Sequence, residues 1–63
     1  MTDRKLGYQI GLERAAIDKG DGIRQNPDQL WHPHHASTDY VAGLTEGYRD
    51  GMDNKPKHLE DVA

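Results

Sequence analysis

The side chains best suited to chemistry in this chain are four histidines, three tyrosines and a scatter of carboxylates and arginines. His32, His34 and His35 fall within four residues, in the run His-Pro-His-His, and His58 lies further on. Imidazole nitrogens are zinc and nickel ligands. Pro33 and the adjacency of His34 and His35 make convergence on one ion awkward, and no carboxylate or thiol is spaced to complete a site. His32, His34 and His35 are therefore weak metal candidates, and no metal or other cofactor is expected. There is no cysteine, which removes thiolate ligands, a thiol nucleophile and disulfides. No Ser-His-acid set is recognisable. Gly20-Asp21-Gly22 lacks the Lys-Ser/Thr that completes a phosphate loop. A chain this short also has little room for a ligand cavity of several hundred cubic ångströms. The residues point to binding rather than catalysis, and the protein is expected not to be an enzyme.

The residues that could bind a partner are Tyr8, Gln9, Arg14, Arg24, Trp31, Tyr48 and Arg49. Tyr8 and Tyr48 occupy equivalent places in a repeat, Gly7-Tyr8-Gln9-Ile10-Gly11-Leu12 and Gly47-Tyr48-Arg49-Asp50-Gly51-Met52. They read as core aromatics with hydroxyls at the rim, or as a contact surface for a partner. Gln9 and Arg49 follow them and are expected to face solvent. Arg14 and Arg24, with Arg4 and Lys5, could form a modest basic patch, interrupted by Asp3, Asp18 and Asp21. Trp31 is the only tryptophan.

These residues must be positioned by helices. Each repeat lies in a stripe of small residues at four-residue spacing: Gly7, Gly11 and Ala15, then Gly43, Gly47 and Gly51. A glycine inside a helix costs about 1 kcal/mol relative to alanine, so a stripe of them implies close backbone approach. The first helix is expected over about 3–19, capped by Thr2 or Asp3 and stopped by Gly20 in the left-handed conformation. Leu6, Ile10 and Ile17 form one ridge beside its glycine groove, and Tyr8, Leu12 and Ala15 form the other. Gln9, Glu13 and Ala16 face away, and Arg14 and Asp18 mark where close packing stops. Residues 20–36 read as a linker broken by two glycines and two prolines. Asn26-Pro27-Asp28-Gln29 makes a turn in it, and Ile23, Leu30 and Trp31 pin it to the helices. The second helix is expected over about 37–53, opened by Ser37-Thr38-Asp39 and ended by Asn54 before Pro56. Tyr40, Val41, Leu44, Tyr48 and Met52 share its glycine face. Thr45, Glu46, Arg49, Asp50 and Asp53 share the other.

The resulting fold is all-α: one domain over 1–54, a two-helix hairpin closed through small-xxx-small faces and joined by a long ordered linker. Residues 55–63 read as a mobile charged tail. At 63 residues and 33% hydrophobic content, the core is thin, and a homodimer is a plausible addition to it. No run approaches the ~20 apolar residues that span a bilayer, and Arg4-Lys5 is followed by no signal-like apolar stretch. A cytoplasmic location is expected, with no membrane partner.

The paired Gly-Tyr motifs resemble the ribosome modulation factor family, over roughly Lys5 to Asp53. Gly7, Tyr8, Gln9, Gly11, Gly47, Tyr48 and Arg49 match the family's two motifs, and Asn26-Pro27 resembles its linker turn. The resemblance implies a small bacterial stress-response protein of two short helices. Such a protein docks on the ribosome, on rRNA or ribosomal protein, and regulates translation. The chain departs from that family in charge: its net charge is −3, where the family is strongly basic. That balance suggests an alternative, a phage- or plasmid-encoded module that inhibits or modulates a host protein through the acidic face of Glu46, Asp50 and Asp53.

Overall fold

The computed structural model describes residues 2–62. Two α-helices dominate it: α1, Asp3–Gly20, and α2, Thr38–Met52. Each begins on a hydroxyl cap. Thr2 Oγ1 accepts the Lys5 N–H at 3.2 Å, and Ser37 Oγ accepts the Tyr40 N–H at 3.1 Å. These bonds satisfy two of the first-turn donors that a helix leaves free. Two short 3-10 turns follow the helices, Pro27–Gln29 and Leu59–Asp61. In the first, Pro27 leads and Asn26 Oδ1 accepts the Asp28 N–H. There is no strand among the described residues.

Both helices end in the same way, but Gly20 is not the left-handed stop of α1. Gly20 remains helical, and Gly22, at φ 71°, takes the left-handed position. Ile23 N–H then reaches back to Asp18 O at 2.8 Å. In α2 it is Asn54, at φ 58°, that turns, and Lys55 N–H reaches Asp50 O at 2.9 Å. This six-to-one bond defines a Schellman ending, and only glycine or asparagine enters it at low cost.

The arms of this helical hairpin are packed face to face and run in the same direction. Ser37 Oγ donates to Asp3 Oδ2 at 2.9 Å where both helices begin. Lys19 Nζ bonds Asn54 Oδ1 where both end. The linker must therefore travel back along the whole pair, which accounts for its length. The glycines face backbone, not side chains. A Cβ on Gly7 would overlap the Tyr40 carbonyl and lie 2.9 Å from Leu44 N. One on Gly11 would lie 2.7 Å from Tyr48 N, and one on Gly43 2.9 Å from Tyr8 N. One on Gly47 would overlap the Tyr8 carbonyl. Gly7, Gly11 and Gly43 each stand over a C=O and the N–H four residues on, in the opposite helix. Gly51 instead meets the Ala15 side chain. The small-residue stripes thus do the work their spacing implies, in a facing register of Gly7 with 40–44 and Gly43 with 4–8.

The remaining core is small. Tyr8, Ala15, Leu44 and Tyr48 are buried along the helix contact, with Ile10, Tyr40 and Met52 packed against them. Leu30, after the first 3-10 turn, joins this cluster. That turn packs on α2, and the second 3-10 turn packs on α1. Residues 55–62 consequently do not stand off as a tail: Lys57 N–H donates to Tyr8 Oη at 2.8 Å, and Val62 is only 4% exposed. Ala63 lies outside the described residues.

Candidate interaction surface

Tyr8 and Tyr48 are not contact residues. Their rings are fully buried, and each hydroxyl is enclosed in a knot that ties the two helices together. Tyr48 Oη donates to Asp18 Oδ2 at 2.6 Å and accepts the Gln25 N–H at 2.9 Å, while Gln25 Nε2 donates to the same carboxylate oxygen at 2.9 Å. Tyr8 Oη donates to Asp50 Oδ2 at 2.7 Å and accepts the Lys57 N–H. In both knots a tyrosine of one helix reaches an aspartate of the other. It then receives an amide from the seventh residue beyond that aspartate. Asp18, expected where packing fades, is thus buried at 8% exposure and central.

The electrostatics follow from these contacts. Hydrogen bonds from Tyr48, then Gln25, hold the Asp18 carboxyl below its ordinary pKa. Both tyrosines are pushed up, chiefly by burial of the phenol. Hydrogen bonds to Asp18 for Tyr48 and to Asp50 for Tyr8 add to this. An uncharged donor against a charged acceptor is a strong pairing in a low-dielectric setting.

One flank of the helix contact is occupied by ion pairs. Lys57 Nζ bridges Glu46 Oε1 at 2.7 Å and Asp50 Oδ2 at 2.9 Å, and stands 5.7 Å from the centre of the Tyr8 ring. Arg4 Nη2 donates to Glu46 Oε2 at 2.7 Å. Hydrogen bonds from Lys57, then Arg4, depress the Glu46 pKa, and those to Glu46 and Asp50 raise that of Lys57. Arg24 lies 3.4 Å from Asp53. The acidic face expected from Glu46, Asp50 and Asp53 is therefore largely committed inside the molecule. Arg49 is exposed and borders a solvent-open groove of about 450 Å³ that also includes Arg4, Asp28 and Lys57. Arg49 forms no ion pair among the described residues.

The outer edge of α1 is different. Trp31 does not pin the linker; it is 70% exposed, and the neighbouring Leu30 takes the buried place at 4%. The Trp31 carbonyl accepts a long bond, 3.3 Å, from Arg14 Nη1. Leu6, Ile17 and Ile23 are also left in solvent, Ile17 at 65%, so the ridge of Leu6 and Ile17 faces out from the helix contact. A second open groove, about 390 Å³, lies between Leu6, Tyr40 and the linker at Pro33 and His35. Grooves of ligand size therefore exist, as open surface.

Of the residues singled out in the sequence, Arg14 and Trp31 are brought together. Gln9 is exposed on the far side of α1, and Arg24 is drawn to α2. Among the described residues no group of three or more His, Cys, Asp or Glu could hold a metal ion, and His32 Nδ1 is directed at Leu30 O, 3.1 Å away. The residues whose part in these knots sequence reasoning missed are Asp18, Gln25, Asp50 and Lys57. Their signal was a second repeat, Asp-x-x-Asp-(Gly/Asn), at Asp18-Asp21-Gly22 and Asp50-Asp53-Asn54.

No family model matches the chain, and neither a curated protein nor a solved structure matches it. No helix among the described residues is long and apolar enough to cross a membrane.

Proposed function

We propose that this chain is a small, non-enzymatic binding protein that docks on the ribosome, on rRNA or ribosomal protein, and so regulates translation in the bacterial cytoplasm. The reading follows the resemblance of its paired Gly-Tyr motifs to the ribosome modulation factor family. The observation that carries it on the molecule is Trp31, the largest apolar side chain, held outside the core beside Arg14. An exposed indole on a segment whose backbone carbonyl Arg14 holds can stack on an unpaired base or fill a pocket on a protein, the two modes by which such side chains anchor partners. The buried tyrosines and facing glycines serve this surface indirectly, by fixing the helix pair on which the linker is mounted. Docking through the acidic face ranks lower, because Arg4, Lys57 and Arg24 already occupy those carboxylates.

The test is a sucrose-gradient profile of lysate containing the tagged chain, with mass spectrometry of what co-purifies. The chain is expected in ribosomal fractions at low salt, and Trp31→Ala is expected to move it to the top of the gradient. Absence of the wild-type chain from ribosomal fractions, with recovery of one stoichiometric non-ribosomal protein, would replace this reading with the host-protein one.

A further inference from the structure

We propose that the outer edge of α1 is a self-association surface on which a second copy of this chain packs. The four large apolar side chains that the fold leaves most exposed are Leu6, Ile17, Ile23 and Trp31. All come from α1 or the linker after it; α2 contributes none. Leu6, Ile10 and Ile17 recur at four- and seven-residue intervals and share one helix face. Ile23 directly follows the left-handed Gly22, the place in a Schellman ending that turns back toward the helix's last turn. The backbone carbonyl of Trp31 is tied to Arg14 of α1.

Two features select a copy of the chain as the occupant. The first is area. Scaling large side chains of roughly 150–250 Å² by their exposure gives on the order of 400 Å² of apolar surface. With the usual apolar share of about 60%, the interface would be roughly 700 Å² per copy, at the low end for a specific pair. The second is charge. At about 100° per residue, Glu13 lies about 40° to one side of the Leu6–Ile10–Ile17 mid-line and Arg14 about 60° to the other. A two-fold axis running along α1 sets Glu13 of each copy against Arg14 of the other, and stacks Leu6 and Ile17 on their own equivalents. Glu13 has no ion-pair partner within the chain among the described residues. Two acidic molecules can therefore meet on this edge without like charges opposed.

Sedimentation equilibrium of the full chain from micromolar to millimolar concentration tests this. The apparent mass is expected to rise from 7.1 kDa toward twice that value. Ile17→Glu is expected to hold it at the monomer mass with an unchanged melting curve, since Ile17 lies in solvent. Glu13→Arg and Arg14→Glu are each expected to weaken association roughly tenfold, and the double variant to restore it. A wild-type chain that stays at the monomer mass at millimolar concentration overturns the proposal. So does an Ile17→Glu variant that associates as wild type does, or a double reversal no better than its singles. A chain monomeric throughout but displaced from ribosomes by Ile17→Glu would give the edge to the ribosome instead. Ribosome docking and self-association are read in separate experiments, so either can fail alone.

Discussion

The two halves of this molecule share a backbone plan and differ at their outer edges. Each half starts on a hydroxyl cap, runs through a helix and leaves by a Schellman turn. Each then sends an amide to a tyrosine hydroxyl of the other helix and ends with a 3-10 turn and a buried apolar residue. Asp18 and Asp50, Gln25 and Lys57, and Leu30 and Val62 correspond, each pair thirty-two positions apart. At the outer edges the likeness stops. Where α2 carries Thr38 and Arg49, α1 carries Leu6 and Ile17 at the positions thirty-two earlier, with Ile17 left 65% exposed. The shared parts hold the fold. The unshared edge is free to differ, and it is the edge proposed above for self-association.

The comparison can be broken most severely at the contact common to both halves. Gly47→Leu forces a side chain into the Tyr8 backbone, which cannot give way as a side chain could. The expected loss is at the upper end of overpacking, about 3 kcal/mol, read as a melting temperature many degrees lower or no cooperative melt. An unchanged melt would mean the glycines do not form the contact. Deleting residues 55–63 tests whether the second half needs its closing segment as the first does. Val62 burial contributes about 1.5–3 kcal/mol, and the Tyr8 hydroxyl loses its amide, so urea unfolding should show a midpoint shift of that order. A truncated chain as stable as the full one would return these residues to the status of a tail.

The two knots should differ in strength. Tyr48→Phe leaves the buried Asp18 with only Gln25 and is expected to cost about 2 kcal/mol, near the middle for bonds to charged groups. Tyr8→Phe is expected to cost less, because Asp50 keeps Lys57. Equal losses in thermal melts would count against the ranking. The smallest effect is that of pH. Asp18 and Glu46 titrate below their ordinary values in the fold. Their contribution is complete above the unfolded carboxylate range, about 4, and is lost as pH falls through the folded values. Tyr8, Tyr48 and Lys57 titrate above theirs. Their contribution is complete below about 10 and is lost as pH rises further. Melting temperature against pH should be flat between these limits and fall outside them; a slope near neutrality would point to other groups.

Both helices, their N-terminal caps and their glycine faces were legible in the sequence, because they depend on local spacing and on residues with one strong preference. Asp18, Trp31 and residues 55–62 were misread for a common reason. A carboxylate is buried when donors come from elsewhere in the chain, here Tyr48 thirty residues away, and no local pattern announces them. Trp31 lost its expected place to Leu30, since only one of two adjacent side chains in an extended segment can point inward. The Asp-x-x-Asp-(Gly/Asn) repeat was present but obscured. It recurs at thirty-two positions and the Gly-Tyr repeat at forty, so aligning the chain on the tyrosines puts the aspartates out of step. The shared direction of the helices was not legible, because small-xxx-small faces pack in either sense.

That shared direction has an electrical consequence. Antiparallel helices cancel their peptide dipoles; these two add, leaving about one unit of positive charge at the end that starts with Thr2 and Ser37 and one of negative charge at the other. Asp3 and Asp39 sit in the first turns and Lys19 and Arg49 in the last ones, each of the sign that offsets the end it occupies. The molecule is therefore a small bar magnet in electrostatic terms, with its poles trimmed by four side chains. Neutralising Asp39 or Lys19 would lengthen the reach of that field as well as loosen a helix end.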